Sequence, residues 1–250
     1  MYQFFVDAGQ INVEEKTVTI TGGDVNHIKN VLRMKVGEEI SVSNGMDGKE
    51  YRCGIRSLNP ESIDCELRFI KEDGVELPSE IVLFQGLPKA DKMELIIQKA
   101  VELGVTRIVP VATKRCVVKL DDKKAKTKIA RWQGIAEAAA KQSKRGIIPR
   151  VTDVMHFAEA VKTAAPMDTK LIPYELAEDM GHTRELLSNL KPGGNIAVFI
   201  GPEGGFEESE IALAMEHKVE PITLGKRILR TETAGLTVLS WLVFLLEGRS

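Results

Sequence analysis

The residues of this chain whose types and spacing could do chemistry sit in three short turns. The first, Phe199-Ile-Gly-Pro-Glu-Gly-Gly-Phe206, closes the apolar run that starts at Asn195 and leads into Glu207-Glu-Ser-Glu-Ile211, which reads as a helix start. Strand, glycine loop and helix is the grammar of a phosphate cradle. Yet Gly201-Pro202-Glu203-Gly204-Gly205 matches neither GxGxxG nor GxxxxGK. No lysine follows it, and Glu203 would repel a triphosphate. Glycines let the backbone approach a ligand closely, so the loop suits a neutral or cationic ligand with an adenine or ribose to hydrogen-bond. The plainer reading of the same residues is a tight strand-to-helix connection, with Glu203 as an anion complementing the helix dipole.

The second turn is Leu224-Gly-Lys-Arg-Ile-Leu-Arg-Thr-Glu-Thr-Ala-Gly235. Three cations, Lys226, Arg227 and Arg230, surround the apolar pair Ile228-Leu229, and Thr231 or Thr233 can cap the apolar helix that follows. The pair could flank an adenine. Arg230 cannot act as a base at neutral pH, but it can stabilise negative charge or hold a phosphate. The alternative makes Ile228 and Leu229 core anchors and leaves the cations solvated. The third turn is Ile172-Pro173-Tyr174-Glu175. Other chemistries have little support. The four histidines (His27, His156, His182, His217) form no HxxxH or HExxH pair, so no metal site is expected. There is no GxSxG, and no Cys/His pair stands out.

The elements that must hold these turns fall into two groups. With 43% hydrophobic and 28% charged residues, the chain has the apolar material for a real core, and 250 residues suit one large domain or two modest ones. In the first seventy residues YQFFV, KTVTI, EISVSN, YRCGIRSL and SIDCELRFI are strand-like, with turn signals at Asn44-Gly45 and Asp47-Gly48. One helix interrupts them. Asp24 can cap it, and Val25, Ile28, Val31 and Leu32 recur at helical spacing up to Gly37. This reads as a small β-barrel. KEDGVELPSE (71–80) is the expected boundary, and from Glu80 strand-like and helix-like runs alternate: IVLFQGL, RIVPVAT, TKLIPYE, NIAVFIG and VEPITLG each precede a helical pattern, the first closed by Gly104. Such alternation predicts an α/β parallel sheet covered on both faces, with ligands beyond the carboxyl ends of the strands, where the three turns lie.

Charge and cysteines bound the setting. The net charge is −2, but residues 113–150 hold 12 Lys/Arg against 3 Asp/Glu, enough to attract a polyanion, while residues 1–73 are acidic, with 9 against 13. The bland reading of the basic stretch is a solvated helix face with a lysine-rich loop at Lys123–Lys128. Cys53, Cys65 and Cys116 form no CxxC pair, which fits a reducing cytosol. The N-terminus lacks the pattern of a signal peptide, and the apolar run Ala234–Leu246 is too short to span a bilayer.

IGPEGGFEESEI (200–211) followed by LGKRILRTETA (224–234) resembles the SPOUT superfamily. With FFV (4–6), NHIKNVLRMKVGEEI (26–40), KMELIIQKAVELGVTRIVPV (92–111), AAAKQSKRGIIP (138–149) and LIPYE (171–175), the chain is similar over nearly its whole length to the RsmE family, which methylates N3 of one uridine in bacterial small-subunit (16S) ribosomal RNA. The resemblance implies a PUA-like, RNA-binding β-barrel at 1–73 and a SPOUT methyltransferase domain with a deep trefoil knot at 74–250. It implies S-adenosyl-L-methionine as methyl donor, whose cationic sulfonium suits a loop bearing Glu203. The donor would be held by Leu171, Ile172, Pro173, Tyr174 and Glu175 from one turn. Phe199, Ile200, Gly201, Pro202, Gly204 and Gly205 would come from the next, and Leu224, Gly225, Ile228, Leu229 and Thr231 from the last. Arg230 would stabilise charge on the uracil, with Glu203 and Glu232 as candidate bases. RNA phosphates would meet Arg33, Lys35, Lys114, Arg115, Lys119, Lys144 and Arg145. The resemblance also implies a cytoplasmic homodimer with helix 234–246 at its interface, acting on rRNA or the 30S subunit and on no membrane. Gln3 departs from the arginine many relatives carry, which shifts the expected N-terminal contacts onto Arg33 and Lys35. A non-catalytic ribosome-assembly factor and a knotted methyltransferase acting on tRNA are the alternatives.

Overall fold

The computed structural model describes residues 1–72, 74–177 and 179–248. The expected boundary at Asp73 falls on a residue outside that set. The chain forms two compact units: Met1–Glu76 with Ala140–Ile148, and Leu77–Ala139 with Pro149 onward.

In the first unit six strands form one sheet: β1 (Gln3–Phe5), β2 (Ile11–Asn12), β3 (Thr17–Thr21), β4 (Glu39–Ser43), β5 (Glu50–Leu58) and β6 (Ser62–Lys71). Their order is β1-β4-β5-β6-β3-β2. The alternation visible in the sequence puts Val18, Ile20, Ile40, Val42, Cys53, Ile55, Ile63 and Cys65 in one core. Burial pushes both core thiols up to about 12, so neither is a nucleophile at neutral pH.

The helix after β3 differs from expectation. It is a short α1 (Gly23–Asn26) that widens into a π turn over His27–Val31, with Leu32 N–H donating to His27 O. The extra residue per turn breaks the 3.6 spacing and rotates Val31 outward, leaving it 61% exposed. Asp24 does not cap the helix; the N-cap is Gly22, and the Asp24 carboxylate accepts from Lys141 instead at 3.0 Å.

The segment 140–148 is stitched into this unit by a buried ion pair. Glu76 accepts from Arg145 Nε (3.0 Å), Gly146 N (3.1 Å) and Ile147 N (3.2 Å). Gln3 Nε2 donates to Arg145 O at 2.9 Å, so this glutamine binds the same segment rather than facing outward as an RNA contact. Arg145 is only 3% exposed. Its expected role as a phosphate contact is therefore corrected: its guanidinium is spent inside the fold.

The second unit runs β7 (Glu80–Gly86), α2 (Lys92–Glu102), β8 (Arg107–Ala112), α3 (Asp122–Gln142), β9 (Arg150–Val151), β10 (Met155–His156) and α4 (Phe157–Ala164). It continues with β11 (Thr169–Pro173), α5 (Met180–Ser188), β12 (Asn195–Ile200), α6 (Glu208–Glu216), β13 (Glu220–Ile222) and α7 (Thr231–Leu246). The sheet order is β10-β8-β7-β12-β11-β13, with β9 on β8, and every pairing is parallel. Its central strands are buried on both faces, as their unbroken apolar runs require, and Phe84 stacks on Phe199 at 4.5 Å. Lys123–Lys128 is not a loop: α3 starts at Asp122, where Asp121 accepts from Lys124 N at 2.8 Å. Among the described residues, no helix is long and apolar enough to cross a membrane.

Candidate active site

β7, β12, β11 and β13 are neighbours in the sheet, so their carboxyl ends bring the three turns together. Tyr174 N donates to Ile222 O at 3.0 Å, joining the turn after β11 to the end of β13. Gly225 N donates to the Thr223 hydroxyl, and Thr223 N to that of Thr183. The glycine loop closes on itself through Gly205 N to Pro202 O at 2.9 Å, with Gly205 at φ 67°. Gly86 lets β7 approach this loop: a Cβ there would lie 2.7 Å from Pro202.

Thr231 does not cap α7. The N-cap is Arg230, with no side-chain cap bond. The buried Thr231 hydroxyl donates to Gly201 O at 2.6 Å and accepts from Gln85 Nε2 at 2.9 Å. This chain ties the end of β7, the glycine loop and the start of α7 into one piece. Gln85 escaped the sequence reading, although a lone amide in the strand Ile81-Val-Leu-Phe-Gln85 was a visible signal. Replacing Thr231 by valine should cost about 1–3 kcal/mol in denaturant unfolding, because the Gln85 amide loses one of its two acceptors and Gly201 O loses its donor. It should also weaken ligand binding at the loop, read by calorimetry. Unchanged values of both would remove the chain from the site's support.

Other expected contacts divide by burial. Leu171, Ile172, Phe199, Ile200 and Pro202 have buried side chains, so only their backbone is available to a ligand. Pro173, Tyr174, Gly201, Gly205, Leu224, Gly225 and Leu229 are half-buried, whereas Glu175 and Gly204 are exposed. Ile228 is 92% exposed, which rejects its reading as a core anchor and leaves an apolar side chain presented at the turn.

Glu203 is corrected in one respect. It does not serve α6, which starts five residues later; it sits against α2, accepting from Lys89 N at 3.2 Å and pairing with Lys92 at 3.0 Å. Lys92 also reaches Glu232 at 3.4 Å. Burial raises the Glu203 carboxyl, but the Lys92 ammonium and the backbone N–H groups outweigh it and hold the group below its ordinary value. A lowered pKa makes this carboxylate a weaker base than an ordinary one, though it is in the proton-accepting form. The same pairing answers the loop's negative charge. Lys92 was missed because its partner lies far along the chain.

The cations sort as sharply. Arg230 is exposed and, among the described residues, has no carboxylate partner. Arg115 is turned onto the glycine loop, bonding Gly204 O at 3.1 Å and Glu207 at 3.0 Å. Lys114 donates through its backbone to Glu210 (2.9 Å) and through its ammonium to Ser209 (2.7 Å). Arg33, Lys35, Lys119 and Lys144 are exposed.

A parallel sheet with paired glycine and cationic turns at its carboxyl edge is the arrangement of an RNA methyltransferase domain, whose family model matches residues 75–243; an RNA methyltransferase PUA domain model matches residues 20–68. The ribosomal RNA small subunit methyltransferase E of Bacillus subtilis is 39% identical over 99% of this chain and 98% of its own. The crystal structure of that enzyme from Neisseria gonorrhoeae, bound to S-adenosyl methionine, superposes with a TM-score of 0.83 at 34% identity, covering 98% of each chain. A putative methyltransferase from Legionella pneumophila, in complex with the same cofactor, gives 0.82 at 32%, covering 97% of this chain and 96% of that one. The chain belongs to the ribosomal RNA small subunit methyltransferase E family.

Proposed function

We propose that this protein transfers the methyl group of S-adenosylmethionine to N3 of a uridine in bacterial small-subunit (16S) rRNA, free or in the 30S subunit. The observation that carries the reading is the joining of the three turns at one sheet edge, with an exposed Ile228 and, on the same turn, an Arg230 that has no carboxylate partner among the described residues. The site chemistry fits this cofactor. Apolar Ile228, Leu229 and Leu224 suit an adenine face, and the loop's one carboxylate is balanced by Lys92. The turns 171–175, 199–205 and 224–231 hold the ligand mostly through backbone, as a deep trefoil knot of the chain. The second unit, Leu77–Ala139 with Pro149 onward, is the catalytic SPOUT domain, and the PUA-like first unit, Met1–Glu76 with Ala140–Ile148, grips RNA with Arg33 and Lys35.

When bound, the cofactor supplies a methyl group made electrophilic by its sulfonium. The rest falls to the chain. Uracil N3 is a poor nucleophile until its proton leaves, and that loss puts negative charge on O2 and O4. Arg230 stabilises this charge, which makes N3–H more acidic. The proton leaves to solvent or to one of the two carboxylates paired with Lys92, Glu203 and Glu232. N3 then forms its bond to carbon as the sulfur–carbon bond breaks. The turns contribute orientation, and the base leaves its stack to reach them.

The protein acts as a cytoplasmic homodimer. α2 packs on α7, and this pair leaves Phe244 85% exposed with Leu95 beside solvent, an apolar face suited to a second copy. Phe244→Glu should give a monomer in sedimentation velocity and lose most activity; a dimer that persists would place the interface elsewhere. The reading as a whole is tested by supplying labelled cofactor with 30S subunits or naked 16S rRNA from a strain lacking the modification. The expected product is 3-methyluridine, and label confined to another nucleoside or to tRNA would overturn the assignment.

A further inference from the structure

The carboxyl edge of the sheet has a second feature on its other half. Beyond the ends of β7, β8 and β10 lies a cavity of about 790 Å³ that shares no residue with the three turns. That volume is within the range of small-molecule sites, about 300–1,000 Å³. Leu87, Val118, Leu120, Met155 and Leu213 give it apolar walls. Lys114, Lys119 and Lys126 border it, all exposed. They belong to the basic segment 113–128, which carries seven Lys/Arg against two Asp. The first turns of α3, α4 and α6 also border it and add positive potential.

The acidic residues at the cavity narrow the ligand. Glu210 is already occupied by Lys114 N and Glu207 N. Asp122 and Asp153 remain, and they oppose a free dianionic phosphate more than a singly charged phosphodiester. Apolar walls further require a ligand with an apolar face. A phosphodiester bearing a base meets both conditions, and unstacked bases are what proteins read in single-stranded RNA.

We infer that this cavity is a second subsite for the RNA substrate, taking one unstacked nucleotide of the strand with its base between the apolar walls and its phosphate on Lys119 and Lys126. The inference rests on the RNA-methyltransferase reading above. The subsite is tied to the first site. Arg115, adjoining the cavity-lining Lys114, bonds Gly204 O and Glu207, so a strand seated here runs directly beside the glycine loop.

Cys116 lines the cavity and is half-buried, whereas Cys53 and Cys65 are 1% exposed. N-ethylmaleimide on the native protein therefore reports on the cavity alone. A single-stranded 16S rRNA fragment containing a uridine that the protein methylates should slow Cys116 modification at least ten-fold, while S-adenosylmethionine alone should leave the rate unchanged. The double variant Lys119→Ala/Lys126→Ala should raise the Kd for the same RNA about ten-fold, with cofactor Kd and Tm unchanged. Bound RNA that leaves Cys116 equally reactive, a double variant within two-fold of the parent, protection by cofactor alone, or a Cys116 that never reacts would each overturn the subsite. A parent protein that methylates RNA while failing these tests loses only the subsite. One that neither binds nor methylates RNA loses both readings.

Discussion

Arg230→Ala should lower kcat for methyl transfer about 100- to 1,000-fold, the usual consequence of removing one donor to a developing anion, and leave the Kd for S-adenosylmethionine within about two-fold. Arg230 contributes little to the fold. It is the N-cap residue of α7 and makes no side-chain cap bond. A cation at a helix N-terminus is opposed by the macrodipole, and no carboxylate partner offsets that among the described residues. A residue kept there for stability would be an asparagine, serine or aspartate. Arg230→Ala should accordingly leave Tm unchanged or slightly raised. In the proposed reaction its guanidinium bonds the uracil oxygens as N3 gives up its proton. Arg230→Lys keeps the charge and loses the planar fork, so it should recover only part of the rate. Single-turnover kinetics at saturating cofactor separates this effect from binding. A wild-type rate in Arg230→Ala would remove the residue from the chemistry.

The contrast between Arg230 and the other arginines marks how far residue types and spacing reach. Strand alternation in 1–70 and strand–helix alternation after Glu80 are local signals, and both sheets follow them. The glycine and cationic turns were legible for the same reason, since their neighbours in sequence define them. Most of the misreadings involve partners distant in the chain. Gln85 and Thr231 lie 146 residues apart, and Lys92 meets Glu203 from another turn. Arg145 was expected to meet RNA phosphate, but Glu76 claims its guanidinium, whereas Arg115 pairs with Glu207 and stays exposed. Local sequence gives the sign of a charge but not which partner consumes it. The π turn at His27–Val31 is a different failure. One shifted hydrogen bond rotates Val31 out of the face its spacing assigned, and nothing in the composition announces it.

Glu76→Ala should destabilise the first unit by about 3–5 kcal/mol, the cost of breaking a buried ion pair by removing its carboxylate. Glu76 is a hub. Its carboxylate receives the Arg145 guanidinium and the peptide N–H groups of Gly146 and Ile147. Arg145 has no route to water at 3% exposure. The acceptor's loss therefore takes one carboxylate from the guanidinium and strands the Gly146 and Ile147 N–H groups together, and the segment that pairs Gly45 with Ile147 should come loose. Arg145→Met should cost less: Glu76 is 16% exposed and keeps both backbone donors, while the methionine fills the apolar volume of the arginine stem. Equilibrium denaturation, followed by a probe in the first unit, should rank the two variants in that order and change little with salt, because a buried pair is weakly screened. The outcome that reverses the argument is specific. If Arg145→Met leaves the midpoint untouched and instead weakens RNA binding with a reduced salt slope, Arg145 meets phosphate after all, and Glu76 only holds it in reserve.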